Sequence, residues 1–146
     1  MMFTASYPAA FLPERNRTGY HVRFADLPEA LTGGENLEAA MTEAADCLAE
    51  ALAGRISRGE DIPKPSPPRR RQRLIGVPLY LAPKLALYVG MRERGLRNTE
   101  LGKRLGVSET VVRRMLNPKH ETKPGKIQAA LAALGKRIVV TFEDAA

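Results

Sequence analysis

The stretch Asn36-Leu-Glu-Ala-Ala-Met-Thr-Glu-Ala-Ala-Asp-Cys-Leu-Ala-Glu-Ala-Leu-Ala-Gly-Arg-Ile-Ser-Arg-Gly59 has the clearest hydrophobic period in the chain. Leu37, Met41, Ala44, Leu48, Leu52 and Ile56 recur at spacings of three and four, which places them on one stripe of a helix. Glu38, Glu43, Asp46 and Glu50 lie off the stripe. Asn36 is a good N-cap residue, Glu38 suits the positive end of the helix, and Gly59 follows Arg55 and Arg58 as a stop. The spacing predicts one amphipathic helix, and its apolar face needs a layer to cover.

The residues on either side supply that layer. Thr4–Tyr7 opens as a strand, and Arg15-Asn-Arg-Thr-Gly19 has turn chemistry. Tyr20, Val22 and Phe24 then alternate with His21 and Arg23, as a half-buried strand should. Leu31-Thr32 is a third short strand, ended by Gly33-Gly34. After the helix, Ile62-Pro-Lys-Pro-Ser-Pro-Pro-Arg-Arg-Arg-Gln-Arg73 is a proline-rich and then basic connection that favours an extended path. Leu74, Ile75 and Val77 add a last strand before Pro78. One helix against such strands is an α+β layer, small enough for contacts with partners to add to its stability.

From Ala82 the pattern turns helical. Leu85, Val89 and Met91 mark one helix, ended by Gly95; Asn98 is the expected cap of a second, Thr99–Leu105, with Leu101 and Leu105 inward. Gly106-Val107 is a turn, and Ser108 caps a third helix, Glu109–Leu116, with Val112, Met115 and Leu116 inward. Two helices joined by a short turn containing glycine form a helix-turn-helix, whose second helix is placed to enter the major groove. Pro124 suits the start of a fourth helix with Ile127, Ala130, Leu131 and Leu134 on its apolar face, ended by Gly135. Ile138, Val140 and Phe142 then alternate with Val139 and Thr141. That is a strand with no partner in a small helical unit, and pairing with a second copy would cover its edge.

Composition narrows the classes. The chain has 146 residues, 44% hydrophobic and 27% charged, with one cysteine and no tryptophan. No apolar run approaches the ~20 residues that span a bilayer, no secretory pattern opens the chain, and Cys47 has no internal disulfide partner. The expectation is a soluble cytoplasmic protein without membrane contact. The net charge of +7 is uneven: residues 1–66 sum to −4 and residues 67–146 to +11. Basic clustering suits a nucleic-acid partner, because neutralising phosphates releases counterions.

Two resemblances sharpen this. Thr99–Asn117 resembles the helix-turn-helix of phage-repressor-like regulators. The resemblance implies that Glu109, Thr110 and Arg114 stand at base-reading positions and Asn98 and Asn117 at phosphate positions, while Gly102 stands where that family prefers alanine. With their neighbours Thr99, Ser108, Arg113 and Lys119, these are the candidate DNA-binding residues. Arg114 leads, because arginine can donate two hydrogen bonds to guanine.

The stretch Gly19–Ala40 contains a Gly-Tyr strand, Phe24-Ala-Asp-Leu-Pro28 and Thr32-Gly-Gly-Glu35 before its helix, and is similar to the signature of HicB antitoxins. The likeness continues through Ile62-Pro-Lys-Pro-Ser66 and, in the branch with a helix-turn-helix, Ala133-Leu-Gly-Lys136. Ala25 departs from it, where many members have proline. The resemblance implies a partial RNase H-like N-terminal domain without nuclease activity. It also implies a small HicA-type toxin partner that cleaves RNA and whose active site is masked, and repression of the chain's own operon.

The expected organisation is residues 1–82 for toxin binding and residues 83–146 for DNA binding and dimerisation, as a homodimer or higher even oligomer. Tyr20, Val22, Phe24, Asp26, Leu27, Pro28 and Glu35 are the candidates for structuring the toxin-binding surface. No catalytic residue, metal or cofactor is expected. Asp26, Glu35 and Glu38 are the nearest carboxylate set, but their spacing does not demand convergence on one ion. His21, His120 and mid-helix Cys47 form no catalytic constellation. The alternative is a stand-alone helix-turn-helix regulator whose N-terminal domain binds a ligand or oligomerises. An RNA-binding module is disfavoured, because the outer strand positions lack an aromatic stacking pair.

Overall fold

The computed structural model describes residues 2–15 and 18–145. The expected turn at Arg15–Gly19 falls partly outside these, at Asn16 and Arg17. Strands β1 (Ser6–Pro13), β2 (Tyr20–Phe24), β3 (Leu27–Gly34) and β4 (Gln72–Gly76) form one antiparallel sheet in the order β3-β2-β1-β4. Helix α1 (Leu37–Ser57) lies across one face. Its start is fixed as the sequence suggests: the Asn36 side chain accepts from the Ala39 N–H at 2.8 Å.

Strand alternation sets the core. Tyr7 and Ala9 of β1, Val22 and Phe24 of β2, and Ile75 of β4 face α1 and meet Ala40, Ala44, Leu48, Leu52 and Ile56. The small residues Ala40, Ala44 and Ala49 let the helix lie close to the sheet. The opposite face is open. It carries the pairs Leu31–Arg23, Arg23–Ala10 and Leu12–His21 in register, with Leu74 opposite Pro8, and Leu12, Leu31 and Leu74 are exposed.

Four helices follow: α2 (Ala82–Glu93), α3 (Asn98–Leu105), α4 (Glu109–Leu116) and α5 (Pro124–Ala133). Leu85, Leu101, Val112, Ile127, Leu131 and Leu134 form their centre, and the buried apolar residues run without a break from this centre to the sheet. The corner is latched by polar contacts. The Tyr88 hydroxyl donates to the Glu60 carbonyl at 2.7 Å, and Arg92 reaches the Gly59 carbonyl and the Asp61 carboxylate. At the far end Lys136 pairs with Glu93 at 2.6 Å. The α+β architecture is as expected. The terminal strand is not: residues 136–145 form no strand, and Val139, Val140 and Phe142 are exposed. The strand order ends in β3 and β4, and the tail pairs with neither edge.

Candidate functional site

The α3–α4 pair is built around a tight turn. Gly106 takes the left-handed conformation (φ 69°) that closes α3, and the Val107 N–H donates back to the Gly102 carbonyl at 2.9 Å. Ser108 caps α4, its side chain accepting from the Val111 N–H. Gly102 has a steric reason. A Cβ there would sit 2.7 Å from the Val107 carbonyl oxygen, so in this chain the turn packs closer than an alanine allows.

One expectation is corrected. Asn98 is not the cap but the first residue of α3; Arg97, with extended backbone, holds the cap position. The Asn98 amide instead donates to Glu109 Oε1 at 3.3 Å, tying the start of α3 to the start of α4. Thr99, Ser108, Arg113, Arg114, Asn117 and Lys119 are exposed, while Glu109 and Thr110 are half-buried. Arg113 lies 3.7 Å from the Glu109 carboxylate one turn earlier. Asn117 accepts from the Lys119 N–H, which shapes the loop after α4. Arg114 and Lys119 enter no ion pair among the described residues, so both cations are available to an outside partner.

Sequence reasoning missed Lys84. It is 3% exposed, and its ammonium donates to the Arg114 and Met115 carbonyls, both at 3.1 Å, and to the Thr122 hydroxyl at 2.8 Å. Burial pushes its pKa down. A signal was present: Leu81, Lys84, Leu85, Tyr88 and Met91 follow helical spacing, so Lys84 stands inside an apolar stripe.

At the sheet, Val22, Phe24 and Leu27 are at most 2% exposed beneath α1. They shape a surface from below and offer none of their own. Tyr20 is half-buried; Pro28 and Glu35 are exposed. Asp26 is engaged internally. Its carboxylate accepts from the Ser66 hydroxyl at 2.8 Å and the Ser66 N–H at 3.0 Å, pinning the proline-rich connection to the start of β3. Tyr7 holds the same connection by donating to the Pro63 carbonyl at 2.7 Å. Glu29 and Arg55 form a two-pronged ion pair between β3 and α1, and the arginine's hydrogen bonds lower the Glu29 pKa to about 2.

The charge split also changes meaning. The basic run Arg69–Arg73 leads into β4 and belongs with the sheet layer, so residues 1–82 carry as many cations as anions and residues 83–146 hold the whole net +7. Glu35 and Glu38 are exposed, and among the described residues no group of three or more His, Cys, Asp or Glu is placed to hold a metal ion. Cys47 is half-buried, and burial raises its pKa. No helix among the described residues is long and apolar enough to cross a membrane.

Comparison with known proteins matches residues 6–86 to the family model of the HicB-like antitoxin of bacterial toxin–antitoxin systems. The chain is 37% identical to antitoxin HicB of Escherichia coli (strain K12) over 132 residues, covering 90% of this chain and 95% of that protein. It is 36% identical to antitoxin HicB 2 of Photorhabdus laumondii, covering 90% and 92%, and 30% identical to antitoxin HicB of Pseudomonas fluorescens, covering 83% and 84%. A match over 90% of the chain takes in α3 and α4, beyond the end of the family model.

Proposed function

The chain belongs to the HicB-like antitoxin family of bacterial toxin–antitoxin systems, and from that premise we propose that it neutralises a HicA-type mRNA-cleaving toxin and represses its own operon. In this reading residues 83–146 bind operator DNA through a helix-turn-helix, with α4 in the major groove. The observation that carries it is the exposed, unpaired Arg114 on a capped helix, in the part of the chain that holds all the net charge. Arg114 reads a base; Asn117 and Lys119 meet phosphates.

The toxin docks on residues 1–82. The open sheet face is the surface that fits, because Leu12, Leu31 and Leu74 leave apolar area uncovered between His21 and Arg23. Neutralisation is by covering the toxin's site, and this chain performs no chemistry. The tail Ile138–Phe142 pairs with the same tail of a second copy, which removes its exposed apolar side chains from water. Both proposed partners, an mRNA-cleaving toxin and operator DNA, fit a protein of the cytoplasm.

The test uses full-length variants co-expressed with the toxin from the neighbouring gene. Arg113→Ala with Arg114→Ala should abolish binding to the operon's promoter and leave growth rescued. Leu12→Arg with Leu31→Arg should do the reverse. Loss of both activities in each variant would count against separate surfaces. Truncation after Lys136 should lower the solution mass to that of a monomer.

A further inference from the structure

Among the described residues Lys84 is the one buried cation, and no carboxylate there pairs with it. An ammonium has three hydrogens, and here three oxygens receive them: the carbonyls of Arg114 and Met115 and the hydroxyl of Thr122. The two carbonyls belong to the last turn of α4: that of Arg114 also accepts from the Asn117 N–H at 3.2 Å, and that of Met115 has no backbone donor among the described residues. No left-handed residue closes this helix; Asn117 leaves it with extended backbone. The cation therefore supplies the donor that the Met115 carbonyl lacks, adds a second one at Arg114, and sits at the negative end of the helix dipole. Thr122 lies beyond the loop that carries Lys119, so one amine ties α2 to the end of α4 and to that loop.

A methionine would fill the same volume, so packing alone does not call for an amine here. What the amine adds is a fixed position for the backbone of Arg114. We propose that Lys84 is a positioning residue for base reading, setting how far the end of α4 and the following loop project toward DNA. This rests on the reading of α4 as the DNA-contacting helix. Lys84 itself touches no nucleic acid.

The test compares full-length Lys84→Met, Lys84→Arg and Thr122→Val with the unaltered chain. The probes are a duplex from the chain's own promoter and a scrambled duplex of equal length, titrated at several salt concentrations. Lys84→Met should bind scrambled DNA within about twofold and with the same salt slope, since the phosphate contacts remain. Its promoter affinity should fall about tenfold, the equivalent of one well-made base contact. Thr122→Val should lose about threefold, and Lys84→Arg, whose larger planar guanidinium keeps the charge but not the ammonium's three donor positions, should recover little of the loss. Amide exchange at Asn117–Thr122 should quicken in Lys84→Met and Thr122→Val.

An unchanged promoter-to-scrambled ratio in Lys84→Met, with only its melting temperature lowered, overturns the proposal. If Lys84→Met does not fold, the ratio in Thr122→Val decides in the same way. If the unaltered chain fails to prefer its promoter, the DNA reading of α4 falls. Unchanged exchange at Asn117–Thr122 in Thr122→Val would then also sink the positioning role.

Discussion

Asp26→Ala removes the clasp between the β2–β3 corner and the proline-rich connection. Two donors lose their acceptor, the Ser66 N–H at 3.0 Å and the Ser66 hydroxyl at 2.8 Å, both half-buried. A hydrogen bond to a charged acceptor contributes about 1.5–3 kcal/mol when shielded; half-burial roughly halves this, so the pair contributes about 2 kcal/mol. In a chain of this size that lowers Tm by about 4–8 °C. Asp26→Asn keeps one acceptor and should lose about half as much. Thermal melts of Asp26→Ala, Ser66→Ala and the double variant close a cycle, with an expected coupling of about 1–2 kcal/mol. Neutralisation of the toxin should survive in every folded variant, because the carboxylate is already spoken for inside the chain. A melting temperature unmoved in Asp26→Ala, together with loss of neutralisation, would refute this reasoning and make Asp26 a contact residue.

Three other outcomes are expected. Arg114→Ala should weaken promoter binding by about 1–3 kcal/mol and relax discrimination at one base pair, whereas Lys119→Ala should weaken promoter and scrambled DNA alike; equal effects of both on both probes would misplace the reading helix. Gly102→Ala meets the Val107 carbonyl oxygen at 2.7 Å, so overpacking of about 1–3 kcal/mol outweighs the helix-propensity gain of about 1 kcal/mol, and the urea midpoint should fall rather than rise. Glu29, held near pKa 2 by Arg55, stabilises the fold above its ordinary pKa, and this is lost as pH falls toward about 2. Its side chain is 38% exposed, so screening limits the effect to about 1 kcal/mol, and Glu29→Gln should flatten that part of an acid titration of stability.

The periodic features were legible because each rests on local backbone rules. Helix α1, its Asn36 cap, the alternation of Tyr20–Phe24 and the Ser108 cap all follow from side chains within one or two turns. Strand β1 was legible only at its start. Ala9, Ala10 and the two flanking prolines carry little strand propensity, and it is pairing with β2 on one side and β4 on the other that extends it to Pro13. What eluded the sequence was long-range. Asp26 meets Ser66 forty residues on, and Lys84 meets Arg114 thirty residues on. Asp26 looks like an ordinary turn residue until the topology supplies its partner, and the apolar stripe around Lys84 marks it as buried without saying what receives its protons. Residue type favours Asn98 as a cap, but Arg97 adopts the cap backbone and frees the amide for Glu109. Alternation in residues 138–142 suits a strand, but alternation cannot say whether a neighbour exists to complete the ladder.

The latch of Tyr88 and Arg92 onto residues 59–61, over an apolar centre shared by sheet and helices, has a mechanical consequence. The sheet and the four helices share one packed centre, so the short link Val77–Leu81 between β4 and α2 works as a strut and not as a tether. A body docked on the open face would then be carried at a set angle to α4. In a symmetric pair on DNA, two such bodies would stand at a separation dictated by the half-site spacing of about 34–36 Å. A bulky load would have room on one side of the duplex and collide on the other. Occupancy of the sheet could thus be sensed at the operator by shape alone, without any rearrangement inside the chain.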